Sequence, residues 1–260
     1  IGERFFARYG LRLSNWNDLG PASVYFFDAN HTVIDTIAVD KNRVYKSFWN
    51  IEPRINLKFT AAENMNLFVN YSRNIQYLQV LSNSTSPFTS LDVWVPSGPT
   101  IKPQMSDQFS IGLTANIFHR RLEFSVESFY KQLYNQLDYK DHPNLLFNPL
   151  LEGELRFGKG CSYGIETMLR KSEGKITGWI SYAYTRSTRE TTDVNNGDVY
   201  PATHDRPHNF SINLSGRAGK HWSFASHWIY LSGAPFSSPT SFYYLNGYSV
   251  PIYGEKNNDR

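Results

Sequence analysis

Residues 108–131 read QFSIGLTANIFHRRLEFSVESFYK. Phe109, Ile111, Leu113, Ala115 and Ile117 alternate with Gln108, Ser110, Gly112, Thr114 and Asn116. After His119-Arg120-Arg121 the alternation resumes, with Leu122, Phe124, Val126 and Tyr130 against Glu123, Ser125, Glu127 and Lys131. A period of two marks a strand with one apolar and one polar face. Two such runs across a short link predict an antiparallel hairpin. Each run is near the length of about ten residues that a tilted strand needs to cross a bilayer.

The pattern extends both ways. It occupies residues 5–14, 49–59 and 67–72 upstream, then 162–170, 176–185 and 209–215 downstream. A last run, 222–232, is apolar on both faces. About nine strands are therefore expected. Short links at 61–64, 119–121, 172–175 and 218–221 alternate with long polar stretches at 15–48, 79–105, 132–160, 187–207 and 233–260. A soluble sandwich has no reason to gather every long loop at one end. A transmembrane barrel does, with short periplasmic turns and long extracellular loops. Trp228, Tyr230, Tyr182 and Tyr184 fall near long-loop ends, while Trp222 and Phe59 fall near short turns. Two interfacial girdles would place aromatic residues so.

Composition agrees. The chain has 260 residues and a net charge of +3, with its charges scattered, so no footprint for nucleic acid is present. No apolar run of about 18 residues exists for a transmembrane helix. The negative mean hydropathy suits a barrel, whose strands average apolar and polar faces. The single cysteine, Cys161, makes an intrachain disulfide framework impossible. It lies on an apolar face and reads as a small hydrophobe. No Gly-x-Ser-x-Gly elbow, Walker loop or His-Glu-x-x-His helix occurs, so neither an enzyme nor a cofactor is expected. The first residues carry no initiator methionine or signal peptide, and the last lie in a polar loop, so a longer parent is expected.

Several stretches, taken in order, resemble the C-terminal half of the barrel of TonB-dependent outer-membrane receptors. They are EPRINLKF from Glu52, NYSRNIQYLQVLSNSTSPF from Asn70, DVWVPSGPTIKPQMSDQFSIGL from Asp92 and YGIE from Tyr163. GWISYAYTRS from Gly178, DRPHNFSI from Asp205 and YGEKNNDR from Tyr253 continue the series. The resemblance implies an all-β, antiparallel barrel of about 22 strands. Residues 1–260 would supply about nine, with the plug domain and the closing strands outside this chain. It also implies TonB-dependent uptake of a scarce nutrient (siderophore, vitamin or oligosaccharide) across the bacterial outer membrane. The implied partners are outer-membrane lipid, TonB acting through a plug, a surface lipoprotein and a small-molecule or glycan ligand. A passive porin-like channel or a surface adhesin on a similar wall is the alternative.

Ligand contact is expected on the loops. Tyr77, Phe88 and Trp94, with Tyr134, Tyr139, His142 and Phe147, are either binding platforms or loop packing. His204-Asp205-Arg206-Pro207-His208 invites a metal reading. Its four-residue spacing gathers side chains on a helix, however, and this segment runs from loop into strand. No metal is assigned, and the resemblance gives the Asp-Arg pair a role in ordering the wall. Arg8, Arg12, Glu52, Arg54, Lys58, Glu123, Glu127, Glu166 and Arg170 fall on polar faces and are expected in the lumen. On a lipid face each Arg or Lys would cost roughly 2–4 kcal/mol near mid-bilayer.

Overall fold

Period-two alternation becomes a sheet only if neighbouring strands align their apolar residues in register. The computed structural model describes residues 4–82, 92–118, 121–141, 143–145 and 148–260. Its strands are β1 (Phe5–Leu19), β2 (Ala22–Phe27), β3 (Val33–Val39), β4 (Val44–Ala62), β5 (Met65–Gln76) and β6 (Leu78–Ser82). Then come β7 (Asp92–Pro96), β8 (Gln104–Ile117), β9 (Leu122–Tyr139), β10 (Leu155–Lys171), β11 (Ile176–Thr191) and β12 (Tyr200–Pro201). The last are β13 (His208–Ala218), β14 (Trp222–Leu231), β15 (Pro239–Leu245) and β16 (Tyr248–Tyr253).

Nine of these form one antiparallel wall in the order β1-β4-β5-β8-β9-β10-β11-β13-β14. The register keeps each face uniform. Tyr9, Ile55, Tyr71, Phe109, Tyr130 and Tyr163 are successive partners across six strands on the apolar face. A one-layer sheet has no second layer to cover that face, and Tyr9 is 86% exposed. An apolar face this continuous requires an apolar surrounding.

The strands run further than alternation alone suggests. β9 continues to Tyr139, β11 to Thr191, and β10 starts at Leu155. Tyr134 and Tyr139 therefore lie on a strand, not in the loop expected over 132–160. Three expected polar loops also carry hairpins: β2–β3, β6–β7 and β15–β16. The reason is physical. Beyond the apolar band both faces of a strand are wet, so the hydrophobic alternation fades while backbone pairing persists. The β15–β16 turn uses Asn246 (φ 51) and Gly247 (φ 83), the left-handed pair that a two-residue hairpin turn needs.

The protein-covered apolar core sits at the long-loop end. Leu81, Ile101, Leu137, Tyr139 and Leu155 pack there with Val95 and Leu145.

Candidate functional site

The nine charged candidates share the polar face of the wall. Arg12 faces Glu52, Gly10 faces Arg54 and Phe6 faces Lys58. Glu127 faces Glu166, and Glu123 faces Arg170. Arg12 Nε lies 3.6 Å from Glu52 Oε1, and Glu52 is only 2% exposed. Arg54 donates to Asn74 Oδ1 at 3.1 Å. The Arg8 guanidinium lies 5.8 Å from the centre of the Phe6 ring, which sits beside it on the same face. Glu127 and Glu166 are like charges directly opposed, an arrangement that disfavours the pairing unless a cation or water separates them.

The aromatic loop candidates divide. Tyr77 is committed: its ring stacks on Trp16 at 5.6 Å and 6°. Its hydroxyl bonds Ser14 Oγ at 2.7 Å and accepts from Asn50 Nδ2 at 2.9 Å. Tyr139 is enclosed in the loop-end core. Trp94, on β7, is 64% exposed, and Tyr134, opposite Met105, is partly exposed. Phe88, His142 and Phe147 lie outside the described residues. A hollow of about 220 Å³ at the loop end brings Trp94 and Tyr139 together, and Tyr77 and Tyr134 do not line it.

The groups that do converge are ones that alternation could not single out. Asp138, near the end of β9, is buried. It accepts from the Tyr200 hydroxyl at 2.9 Å and from Lys256 Nζ at 2.5 Å. Arg189 Nη1 lies 3.7 Å away. The Tyr200 hydroxyl therefore donates to Asp138 and takes its second bond from Thr191 Oγ1 at 2.9 Å. Burial first, and Asp138 second, hold the Tyr200 proton well above the usual tyrosine range.

Asn195 ties three segments together. Its N–H donates to Asp141 Oδ2 at 2.9 Å. Its side chain donates to Lys256 O at 3.0 Å and accepts from Lys256 N at 2.6 Å. Asp193, Asn195 and Asn196 all take left-handed backbone, with φ of 56, 49 and 55. The turn formers Asn195-Asn196-Gly197 were the available sequence signal. Two hollows of about 270 and 680 Å³ open beside this turn, and Asp141 and Asn196 line both.

Asp205, from the segment with a metal reading, is 1% exposed. It accepts from Ser187 N–H at 2.7 Å and pairs with Arg260. Arg186 Nε lies 3.8 Å off. His208 Nδ1 bonds the Tyr182 hydroxyl at 2.9 Å. The carboxylate thus fastens loops to the wall. Among the described residues no three His, Cys, Asp or Glu side chains are grouped to hold a metal.

The family model for TonB dependent receptor-like, beta-barrel domains matches residues 1–254. Among solved structures, the ferric-catecholate import receptor Fiu of E. coli K12 is similar, with a TM-score of 0.60 at 17% identity. The match covers 91% of this chain and 33% of that one. The FrpB iron transporter of Neisseria meningitidis gives 0.57 at 12% identity, covering 91% and 32%. The copper transporter OprC gives 0.57 at 15%, covering 88% and 33%. This chain thus spans about a third of the length of these structures, and at such identities the likeness establishes the fold. No curated protein sequence matches the chain.

Proposed function

This chain belongs to the TonB-dependent receptor-like β-barrel family, outer-membrane proteins of Gram-negative bacteria, and on that premise we propose that it forms part of the wall and extracellular loops of a receptor for energised nutrient import. The supporting observation is the wall itself: nine strands with every long connection at one end. The short turns then lie in the periplasm and the loop cluster outside the cell. The cargo is a siderophore, a vitamin or an oligosaccharide. Proteins of the same fold named for ferric-catecholate, iron and copper transport make metal-bearing cargo a natural first test.

In this reading Arg8, Arg12, Glu52, Arg54, Lys58, Glu123, Glu127, Glu166 and Arg170 face the lumen. There they form ion pairs within a hydrated interior or meet a plug. Trp94 and Tyr134 are the described aromatic candidates with surface left for ligand. TonB acts through a plug domain carried elsewhere in the parent receptor, and a surface lipoprotein is a further partner.

The test is uptake of the limiting nutrient by cells with and without TonB. Uptake that vanishes without TonB supports import. Equal uptake in both strains, or a large and constantly open conductance of the full-length protein in planar bilayers, would move the reading to a porin-like channel.

A further inference from the structure

The apolar row that starts at Tyr9 and runs through Tyr71 and Tyr130 to Tyr163 continues onto β11, where its next partner is Arg186. Strand parity puts this guanidinium on the outer side of the wall, with Tyr182 and Tyr184 below it. Arg186 stands ten positions along β11 from Ile176 at the short turn. At ~3.3 Å per residue and ~40° of tilt that is roughly 25 Å, the top of the apolar band. An arginine here sits at headgroup height.

Beneath it lies an aromatic shelf. His208 is the cross-strand partner of Tyr184, and their ring centres are 5.4 Å apart. His208 Nδ1 bonds the Tyr182 hydroxyl at 2.9 Å. Rings of this kind hold an interfacial position.

The charge beside the shelf is unbalanced. Among the described residues Asp205 is the one carboxylate paired with Arg186, at 3.8 Å. Both its oxygens are already in use, Oδ1 by Ser187 N–H and Oδ2 by Arg260. Arg206, the next residue, is exposed. Asp259 is the other acid nearby, and it accepts the Arg260 N–H. Three guanidinium groups thus meet two carboxylates. Arg73 gives the contrast. It stands two positions above Tyr71, as Arg186 stands two above Tyr184. Yet Asp107, directly opposite, accepts from Arg73 Nε and Nη2 at 2.7 and 2.8 Å. Lys159 and Glu190 likewise neutralise one another at 3.0 Å. Of these three groups, the one at Arg186 alone keeps a surplus cation.

A surplus cation above an outward apolar wall suits an anion that carries its own acyl chains. Soluble cargo passes on the other side of the wall. Guanidinium forks match phosphate oxygens, and basic groups at a membrane surface gather anionic headgroups. We propose that Arg186, with Arg206 and Arg260, binds the phosphate of a phosphorylated lipid in the outer leaflet. The inference needs membrane placement alone and leaves the cargo open.

The test places the full-length receptor in nanodiscs of zwitterionic lipid and compares phosphorylated lipid A with its dephosphorylated form. Native mass spectrometry reads the lipid retained. The phosphorylated form should bind about tenfold more tightly, the effect of one charge-assisted contact. Arg186→Gln should erase that preference, and Arg186→Lys should keep part of it. Arg206 is exposed, so Arg206→Gln keeps the fold, and it should weaken the preference as well. Arg73→Gln should leave it unchanged. Equal binding of the two lipid forms overturns the proposal, as does a preference that survives both Arg186→Gln and Arg206→Gln. Inorganic phosphate that displaces lipid A at equal concentration also overturns it, because the site would then read a free anion.

Discussion

Phe59 and Tyr230 lie on one row of cross-strand partners, although Phe59 sits at the short-turn side of the wall and Tyr230 at the long-loop side. The row runs through Leu67, Leu113, Val126, Thr167, Tyr182 and Phe210. Phe59 is near the short turn after Ala62, and Tyr230 is next to the end of β14 at Leu231. A row perpendicular to tilted strands must climb along the barrel axis. Seven steps of ~4.8 Å at ~40° of tilt rise roughly 20 Å, close to the height of the apolar band. One row can therefore touch both interfacial girdles.

The two faces should respond oppositely to charge. Ile111 lies midway along β8 on the apolar face, and Thr114 lies on the polar one. Ile111→Arg should cost about 2–4 kcal/mol in lipid, and Thr114→Arg within about 1 kcal/mol. Denaturant unfolding of the full-length receptor in vesicles measures both. Equal costs would show the faces to be wrongly assigned.

Gly112 faces Phe68 across β5 and β8, and a Cβ at Gly112 would lie 2.3 Å from the Phe68 ring. Gly112→Ala should destabilise by about 1–3 kcal/mol through overpacking. Adding Phe68→Ala should recover part of that loss. The Val126 carbonyl, 2.7 Å from the same Cβ, prevents full recovery. A double-mutant cycle reads the coupling.

The Tyr200–Asp138 contact predicts an alkaline weakness. Burial raises the folded Tyr200 pKa above its ordinary 10.0. The unfolded chain then loses this proton first, so the stability is whole below the ordinary value and is lost as pH rises through the folded one. Thermal melts at increasing alkaline pH should fall in wild type. Tyr200→Phe should flatten that fall while lowering stability at neutral pH.

Asp205 fastens the loop before β13 to the wall through Ser187 N–H and Arg260. Asp205→Ala should cost about 1–3 kcal/mol, because it leaves the Ser187 N–H and the partly exposed Arg186 and Arg260 without their shared acceptor. Arg260→Ala should cost less, since Ser187 N–H and Arg186 remain. Proteolysis of the loop before β13 ranks the two. A melting temperature raised by nickel or zinc in wild type, and unchanged in Asp205→Ala, would restore the metal reading.

Alternation by itself determined the wall. The residues from Gln108 to Lys131 already separate an apolar from a polar face, and the spacing of short and long links fixes which end carries the loops. That information is local, because a strand's faces are set by parity along the chain. The loop cluster was decided by tertiary structure alone. Asp138, Asn195, Tyr200 and Lys256 are ordinary polar residues in sequence. They meet because the register of the wall brings the ends of β9 and β11 together beside the segment at Lys256. Above the apolar band no hydrophobic period marks which polar group will be buried. Only the paths of several loops, fixed together, supply its partner.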